Sequence, residues 1–289
     1  MRVVVIGANG QLGCDICKSF TEHGHEVIQL NHDELDVVDL NLTREKLEQA
    51  RPQIVINTAA MHNVEACEAN PLTAFKVNGL GARNLALLAN EFDFTLYHIS
   101  TDYVFDGKKK SPYVETDCPL PLNVYGNTKY SGESFVRTIA EKYFVVRVSG
   151  LYGNNPCRAK GGDNFVKLML RLAKERDEVR VVDDEVLTPT FTEDIARQLV
   201  EMSTIYQYGL YHVTAQGSCS WYKFAVKIFE LTRAKVKLSI AGPGEFVAKV
   251  PRPKYSVLDN SKLQKLGIDL MPHWEEGLHK YLQEINVLN

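Results

Sequence analysis

Long hydrophobic runs are absent from this 289-residue sequence. No apolar segment approaches the roughly 18 residues that a membrane-spanning helix needs, so we expect no membrane partner. The opening stretch MRVVVIGANG is too short and too rich in glycine for a secretory signal peptide. These absences predict a cytoplasmic protein.

Cysteine is sparse, and its spacing argues against a zinc site. The six cysteines are scattered along the chain, which suits reduced thiols. Cys14 and Cys17 form a C-x-x-C pair, but no second cysteine or histidine pair completes a zinc ligand set. We therefore interpret the pair as helix packing and predict no bound metal.

A strong excess of either charge is also missing. The formal net charge is -3, with 24% charged and 45% hydrophobic residues, which argues against disorder and against a polyanion-binding surface. The basic run Lys108 to Lys110 is better explained by a solvated loop than by a phosphate-binding patch. We expect no nucleic-acid partner.

What the sequence does contain is an alternation of short β-rich runs and longer helical stretches. The runs RVVVIG, EVIQL, QIVINTAA, FTLYHIS and YFVVRVSG are separated by helical segments that include ones beginning near Gln11, Thr43 and Pro71. Strands that alternate with helices predict right-handed βαβ units and a parallel sheet covered on both faces. The predicted fold class is therefore α/β, a Rossmann-type doubly wound parallel sheet.

The pattern loosens after about residue 150, where breaks rich in proline, glycine and asparagine appear at YGNNPCRAKGGDN, AGPGEF and VPRPKYS. The run GLYHV near residue 211 reads as a strand that returns to the sheet. We predict a dinucleotide-binding Rossmann domain over 1–149 with a returning segment near 186–214. A smaller, discontinuous C-terminal substrate lobe would comprise mainly 150–185 and 215–289.

The first functional motif is GANGQLG, which follows the first strand and opens the first helix. Gly7 allows a tight turn, Gly10 lets the backbone approach a pyrophosphate, and Gly13 permits close helix packing. The N–H groups and the positive dipole end of the helix near Gln11 and Leu12 favour a phosphate. The spacing is G-x-x-G-x-x-G, not the G-x-G-x-x-G of two-domain dehydrogenases, but strand, turn and helix together indicate nucleotide binding.

The second motif is NVYGNTKYSGE, in which Tyr125 and Lys129 stand four residues apart on one predicted helix. Side chains at i and i+4 project from the same helix face, so their polar ends can serve one site. A lone pair of this kind is more often a solvated helix face. Its interpretation depends on the rest of the chain, including the run STDYVFDG that ends a predicted strand upstream.

In this order, the motifs resemble the extended short-chain dehydrogenase/reductase family over nearly the whole chain. The runs STDYVFDG, PLNVYGNTK, TPTFTEDIA and RPKYSVLD resemble, more narrowly, the dTDP-4-dehydrorhamnose reductases of that family. The resemblance implies an enzyme that uses NADPH or NADH to reduce the 4-keto group of a nucleotide-linked 6-deoxyhexose. The best-matching reaction would convert dTDP-4-dehydro-L-rhamnose to dTDP-L-rhamnose, with that nucleotide sugar as the partner.

The resemblance also implies roles for individual residues. Tyr125 would protonate the ketone oxygen, Lys129 would lower the pKa of that tyrosine and hold the nicotinamide ribose, and Thr101 would hydrogen-bond the substrate oxygen. Further cofactor contacts are expected at Asn31, Asp39, Leu40, Asn57, Ala59 and Ala60, and further substrate contacts at Asp102, Asn164, Thr190 and Arg252. Structural roles stay open, such as a helix cap for Asp39 and a surface position for Arg252.

One residue departs from the reductase pattern. Gly150, in SGLYG, stands where relatives often carry a tryptophan against the sugar, so the identity of the sugar stays open. A dehydratase is disfavoured, because Thr101-Asp102-Tyr103 lacks the glutamate of a Thr-Asp-Glu run. A sugar-nucleotide epimerase and a non-catalytic regulatory subunit like the methionine adenosyltransferase beta subunit are the alternatives, and the intact tyrosine–lysine pair favours an enzyme over the latter.

Assembly is the least constrained property. Some relatives are dimers joined through a magnesium ion held by carboxylates, and Asp15 and Glu193 fall near the corresponding places. Two carboxylates are too few to argue a metal site, so we interpret both as helix-surface charges and expect no tight metal requirement. A homodimer stays open.

Cofactor preference should be weak. The second strand ends at Asn31-His32, a neutral pair that can bond either a ribose hydroxyl or a 2′-phosphate. We expect both NADH and NADPH to be accepted, with a slight preference for NADPH because the pathway that the chain resembles is biosynthetic and reductive.

Overall fold

The structure is a computed structural model that describes residues 1–156, 161–242, 244–246 and 248–288. Residues 157–160, part of the predicted break YGNNPCRAKGGDN, therefore lie outside the described residues. Within the described ranges, no helix is both long enough and apolar enough to cross a membrane.

Twelve strands lie in the described ranges. In chain order they are β1 (Arg2–Ile6), β2 (Glu26–Leu30), β3 (Ile54–Asn57), β4 (Thr95–Thr101), β5 (Tyr143–Val148), β6 (Leu151–Tyr152), β7 (Glu178–Val181), β8 (Val186–Leu187), β9 (Thr190–Phe191), β10 (Gly209–His212), β11 (Cys219–Ser220) and β12 (Lys237–Ile240).

The described α-helices are α1 (Gln11–Glu22), α2 (Leu40–Ala50), α3 (Val64–Ala69), α4 (Pro71–Phe75), α5 (Gly81–Glu91), α6 (Val124–Ile139), α7 (Phe165–Glu175), α8 (Thr192–Met202), α9 (Trp221–Thr232), α10 (Ser261–Leu266) and α11 (Trp274–Glu284). A π-helical turn (Lys76–Leu80) joins α4 to α5, and a 3₁₀ turn (Asp102–Val104) follows β4.

The main sheet is parallel, and its described strands run in the order β10-β5-β4-β3-β1-β2. Val3, Val4 and Val5 are fully buried, as expected for a strand covered on both faces. Val3 and Val5 belong to a core that includes residues of α1 and α8, whereas Val4 belongs to a core that includes residues of α2, α5 and α6. The predicted α/β fold with a doubly covered parallel sheet is confirmed.

The chain runs from β1 to β2 on one side of it and then crosses over to β3 on the other side. In sheets of this kind, ligands bind outside the carboxyl ends of the strands, at the point where the strand order reverses. That point lies between β1 and β3 and is bordered by the turn at Gly7 and by the segment that follows Asn57.

A third core lies outside the sheet and contains residues of α7, α9 and α11, with Tyr152, Phe191 and Trp274 among its buried aromatics. The predicted strand near residue 211 is present: it is β10, which pairs in parallel with β5 at one edge of the main sheet. The division into domains at 149, 186 and 214 stays a prediction.

One helix begins earlier than predicted, and one predicted helix is interrupted. α2 begins at Leu40 and not near Thr43, because the Asp39 carboxylate caps it by accepting a hydrogen bond from the Leu42 N–H at 3.0 Å. The helical stretch from Pro71 contains the π-helical turn, in which the Asn78 side chain bonds the backbone N–H and C=O of Met61, both at 2.9 Å. Such π-helical turns often mark functional sites.

Helix α6 packs closely on the π-helical turn through Gly132. A Cβ added at this glycine would overlap the carbonyl oxygen of Asn78 and would lie 3.1 Å from Nε2 of His98. Glycine is therefore required here by the close approach of two backbones.

We expect Gly132→Ala to lower the free energy of unfolding by about 2 kcal/mol, because an extra methyl in a filled core displaces its neighbours. Chemical denaturation would measure the change. The exposed α6 residue Ser134 provides the control, and Ser134→Ala should change stability by less than about 0.5 kcal/mol. Equal effects of the two substitutions would contradict this account of Gly132.

Candidate active site

The glycine turn after β1 is held by its neighbours on both sides. The Gly7 N–H donates to the carbonyl of Leu30 at 2.8 Å, and the Thr58 hydroxyl donates to the carbonyl of Ile6 at 2.8 Å. Gly7 has φ +78°, and an added Cβ would lie 2.7 Å from the Thr58 hydroxyl oxygen. At Gly13 an added Cβ would overlap the carbonyl oxygen of Gly7.

These features fit the pyrophosphate of a dinucleotide. Among the described residues, no side chain caps the first turn of α1, whose N-cap is Gly10, so the backbone N–H groups at Gln11 and Leu12 are not covered by a capping group from them. Uncapped N–H groups and the helix dipole attract a phosphate. The amide of Gln11 points away from that role, because its Nε2 donates to the carbonyl of Asn155 at 3.2 Å.

Residues at the end of β3 border the same crevice. Asn57 is buried, its Oδ1 accepts from the Ala59 N–H at 3.1 Å, and its amide nitrogen lies 3.2 Å from Nδ1 of His98. Ala59 and Ala60 are half-buried small residues beside it. Asn57, Ala59 and Ala60 could line a cofactor in this arrangement. Their contact with the cofactor stays a prediction.

The residues after β2 were expected to contact the adenosine half of the cofactor. Asp39 is exposed and caps α2, and Leu40 is the first residue of that helix. The backbone N–H of Asn31 donates to a carboxylate oxygen of Glu34 at 2.9 Å. The Glu34 carboxylate therefore lies at the end of β2, beside the neutral residues Asn31 and His32.

Helix α6 is positioned at its first turn by Asn123. The Asn123 side chain accepts from the Gly126 N–H at 2.8 Å and donates to the carbonyl of Pro251 at 2.9 Å. Gly126 touches the backbone of Tyr103, since an added Cβ would overlap its carbonyl oxygen. The start of α6 is thereby held against the segment that follows β4.

This packing brings Tyr125, Lys129 and Thr101 together. Tyr125 lies beside the Thr101 side chain and meets the Tyr103 ring edge-on, with centroids 5.7 Å apart. Lys129 is 2% exposed, and its Nζ donates to the carbonyl of Ile99 at 2.6 Å. The three predicted catalytic side chains thus meet at the carboxyl end of β4.

The acidities of this group are set mainly by burial. Burial raises the pKa of Tyr125, and the Thr101 side chain beside it acts against that increase. Burial lowers the pKa of Lys129 to about 8, with Glu133 acting in the opposite direction. The expected depression of the tyrosine pKa is therefore not found in the protein alone, because removal from water disfavours the phenolate.

Asp102 lies next to this group and is 4% exposed. Its carboxylate accepts from the hydroxyls of Thr101 at 3.0 Å and of Ser149 at 2.9 Å. Burial raises the pKa of Asp102, while hydrogen bonds from Ser256, Ser149 and Thr101 act against the increase. To take part in substrate binding, Asp102 would therefore have to act through Thr101 or give up one of its present hydrogen bonds.

Two of the predicted second-lobe contacts already have protein partners. Asn164 caps α7 by accepting from the Lys167 N–H, and its amide donates to the carbonyl of Gly153 at 2.8 Å and to the Tyr281 hydroxyl at 3.0 Å. The hydroxyl of Thr190, which is 0% exposed, donates to the carbonyl of Thr188 at 3.1 Å. A ligand contact through either side chain would have to replace one of these hydrogen bonds.

Arg252 is better placed to meet a ligand. It is half-buried, and its Nη2 donates to a Glu65 carboxylate oxygen at 2.6 Å. Its Nε is buried without a hydrogen-bond partner among the described residues. The segment that carries Arg252 is tied to the start of α6 by the Asn123–Pro251 hydrogen bond described above.

The departure at Gly150 has a local structural cause. Gly150 has φ +59°, and an added Cβ would lie 2.8 Å from both Leu187 Cδ1 and the carbonyl oxygen of Thr188. The Thr190 N–H donates to the carbonyl of Gly150 at 3.1 Å. This backbone has no room for an aromatic side chain, so the site must be lined there by other residues.

The interpretation of Asp15 as a helix-surface charge is wrong. Asp15 is 6% exposed and accepts hydrogen bonds from the Thr192 hydroxyl at 2.5 Å and the Asn155 amide at 3.1 Å. Glu193 is largely covered and ion-pairs with Lys18 and Lys280. No cluster of three or more metal-binding side chains was found among the described residues.

Two polar residues of the site escaped the sequence interpretation. Thr58 ties β3 to the glycine turn, and Asn78 links Met61 to the Thr128 hydroxyl on α6 at 2.9 Å. A signal for Asn78 existed in the run KVNGLG, since asparagine and glycine are poor helix formers inside a helical stretch. Thr58 carried no comparable signal.

Comparison with known proteins gives consistent relatives. The family model described as RmlD substrate binding domain matches residues 1–287. The spore coat polysaccharide biosynthesis protein SpsK of Bacillus subtilis (strain 168) is 38% identical over 283 residues, covering 98% of this chain and 97% of that protein. The dTDP-4-keto-6-deoxy-D-glucose reductase of Streptomyces niveus is 34% identical, covering 99% of this chain and 98% of that protein.

A solved structure is equally similar. The dTDP-4-dehydrorhamnose reductase of Bacillus anthracis str. Ames, solved in complex with NADP, is 39% identical and superposes with a TM-score of 0.93. The match covers 98% of this chain and 99% of that one.

We expect Gly150→Ala to destabilise the protein more than Gly24→Ala does. Both glycines have positive φ, but nothing lies within 4 Å of a Cβ added at Gly24. Gly24→Ala should cost about 1 kcal/mol for backbone conformation alone, and Gly150→Ala at least about 1 kcal/mol more for the contacts with residues 187 to 189. Equal unfolding free energies would show that this segment yields readily and that a side chain fits.

Proposed function

Because the chain belongs to the RmlD substrate binding domain family, we propose that it reduces the 4-keto group of a dTDP-linked 6-deoxyhexose. The substrates named for its relatives are dTDP-4-dehydrorhamnose and dTDP-4-keto-6-deoxy-D-glucose, and one relative binds NADP. The observation that carries the proposal is the grouping of Tyr125, Thr101 and Lys129 at the carboxyl end of β4.

A bound NADH or NADPH would supply the hydride to the ketone carbon. The protein must then protonate the ketone oxygen, which becomes negative as the hydride arrives. Tyr125 holds a proton at neutral pH, as any phenol does, and because burial raises its pKa further, the transfer depends on stabilising the phenolate that forms. The proton passes from the Tyr125 hydroxyl to the sugar oxygen.

Lys129 and Thr101 support that transfer. With a pKa of about 8, Lys129 is mostly cationic at pH 7, and a nearby cation stabilises the phenolate that remains after proton transfer. The Thr101 side chain lies beside Tyr125 and is proposed to orient the phenol and to contact the same sugar oxygen, for which its hydroxyl would exchange its present bond to Asp102. Protonated Lys129 is lost as the pH rises through about 8, so its contribution declines on the alkaline side.

Arg252 is proposed to bind the diphosphate of the nucleotide sugar. A guanidinium group binds phosphate with two parallel hydrogen bonds, and Arg252 has one nitrogen, Nε, that lacks a partner among the described residues. Its present bond to Glu65 is half exposed and would be exchanged for the phosphate oxygens.

The decisive assay is NADPH consumption with dTDP-4-dehydro-L-rhamnose, beside dTDP-4-keto-6-deoxy-D-glucose and the GDP-linked and UDP-linked analogues. We expect consumption with a dTDP-linked 4-keto sugar and a marked preference over the other nucleotides. Protein that is purified with tightly bound NAD and interconverts sugars without net consumption would instead be an epimerase, which would refute the proposal.

We expect Tyr125→Phe to lower kcat by about 10² or more, the range for loss of a positioned acid, while NADPH affinity changes little. Steady-state kinetics and fluorescence titration of NADPH measure the two effects. Tyr130, a half-buried tyrosine on the same helix, supplies the control substitution Tyr130→Phe. Near-normal turnover of the Tyr125 variant would remove this residue from the mechanism.

Cofactor preference should be narrow. We expect kcat/KM for NADH and NADPH to differ by less than about 100-fold, or about 2.7 kcal/mol. The Glu34 carboxylate at the end of β2 disfavours a 2′-phosphate, so Glu34→Gln should shift the ratio toward NADPH by about fivefold, the effect of a partly exposed charge.

Asp33→Asn is the control for this shift, because it removes an adjacent exposed carboxylate. A smaller change in the cofactor ratio is expected from it. A preference beyond 100-fold in the unaltered protein, or no response to Glu34→Gln, would place the discrimination at a different residue.

A further inference from the structure

A buried ion pair lies directly behind the candidate active site. Glu133, on α6, and Arg147, on β5, both have side chains that are 0% exposed. Arg147 binds the carboxylate through two parallel hydrogen bonds, from Nε at 2.9 Å and from Nη2 at 2.7 Å. A paired geometry of this kind is the strongest form of the guanidinium–carboxylate interaction.

The pair is connected to two further strands. The Ser100 hydroxyl, on β4, donates to Glu133 Oε1 at 2.5 Å. Nη1 of Arg147 lies 3.5 Å from Nε2 of His212 on β10, and the guanidinium stacks 5.0 Å from the Phe105 ring centre. Helix α6 is thus fastened to three neighbouring strands of the sheet at their carboxyl ends.

Stability alone is a poor explanation for this pair. Removing two charges from water costs about as much as their attraction returns, and apolar residues of similar volume often serve a core equally well. The positions along the chain suggest a different reason. Glu133 is one helical turn after Lys129, and Ser100 immediately precedes Thr101.

We propose that Glu133 and Arg147 are positioning residues that hold α6 against β4 and β5, and that the Glu133 carboxylate keeps Lys129 cationic. The part that concerns catalysis rests on the proposed function. The relation between the charges of Glu133, Arg147 and Lys129 does not depend on which sugar the protein reduces.

Other charged or titratable groups near this part of α6 do not take the place of Glu133 as the anion that favours protonated Lys129. They are His98 on β4, Asp102 after β4, His212 on β10, Cys67 and Glu68 on α3, Arg83 on α5 and Lys76 on the π-helical turn. His98 and His212 have pKa values lowered by burial and are neutral at pH 7, while Lys76 is exposed. Glu133 is the carboxylate found to act on Lys129, and it opposes the effect of burial.

The proposal predicts opposite effects from the two partners. Glu133→Gln removes the negative charge and leaves the Arg147 cation without its carboxylate, so the lysine should lose its proton at a lower pH than in the unaltered protein. Arg147→Met removes the positive charge, so the lysine should keep its proton to a higher pH. Each shift should be about one pH unit or more, as expected for charges one helical turn apart.

The titration can be measured without substrate or cofactor. Protein labelled with ¹³C at the lysine ε carbon would be titrated by NMR, with the Lys129 signal assigned by its loss in Lys129→Met. The unaltered protein should show a midpoint near 8. Shifts in the same direction, or no shift in either variant, would overturn the charge relation.

The double variant Glu133→Gln/Arg147→Met guards against misfolding of the single variants, since neither member of the buried ion pair is left without its partner. Its Lys129 midpoint should stay within about half a pH unit of the original. Its kcat should still fall about tenfold or more, because the links to β4 and β5 are lost. Turnover equal to that of the unaltered protein would show that the pair is merely structural.

The two measurements separate the inference from the proposed function. If the unaltered protein reduces none of the nucleotide sugars, the proposed function fails while the NMR titration still tests the charge relation. If turnover is present and the two single variants titrate alike, the inference fails while the function stands.

Discussion

The contact between the Lys129 ammonium and the carbonyl of Ile99 is the one on which the rest of the site depends. A lysine that is 2% exposed with its Nζ 2.6 Å from a β4 carbonyl can be accommodated only if α6 lies almost directly on the sheet. That closeness accounts for Gly126 and Gly132, where a Cβ would overlap the carbonyl oxygens of Tyr103 and Asn78. It also places Tyr125 beside Thr101.

Burying a lysine has an electrostatic cost that neighbouring groups must offset. Burial lowers the pKa of Lys129 to about 8, and Glu133 acts against this. Arg147 in turn pairs with Glu133. The interior therefore holds a carboxylate near the lysine, and that carboxylate has its own cationic partner. The same removal from water raises the pKa of Tyr125, so a neighbouring cation is needed to stabilise the phenolate that remains after proton transfer.

The substrate side is organised differently from the cofactor side. Asn164 and Thr190 form hydrogen bonds within the protein. Arg252, in contrast, lies in the segment that the Asn123–Pro251 hydrogen bond ties to the start of α6. The tight backbone around Gly150 means that the surface facing the sugar is not formed by a side chain there.

The sequence by itself determined the parallel α/β sheet, the glycine turn and the placement of Tyr125 and Lys129 on one helix face, whereas Thr101 was added to them by the family resemblance. These follow from strand periodicity, from glycine's access to positive φ and from the i, i+4 spacing on a helix, all of which act over a few residues. The start of α2 was misplaced by three residues because a single carboxylate, Asp39, decided it.

Only the tertiary structure decided which polar groups are buried and what they contact. Asp15 reads as a surface charge in sequence, yet Thr192 and Asn155, far along the chain, enclose it. The partnership of Glu133 with Arg147 and the shift in Tyr125 acidity likewise depend on strands and helices that meet only after folding. Solvent exposure and the distance between remote side chains are properties of the assembled core, and no local sequence pattern encodes them.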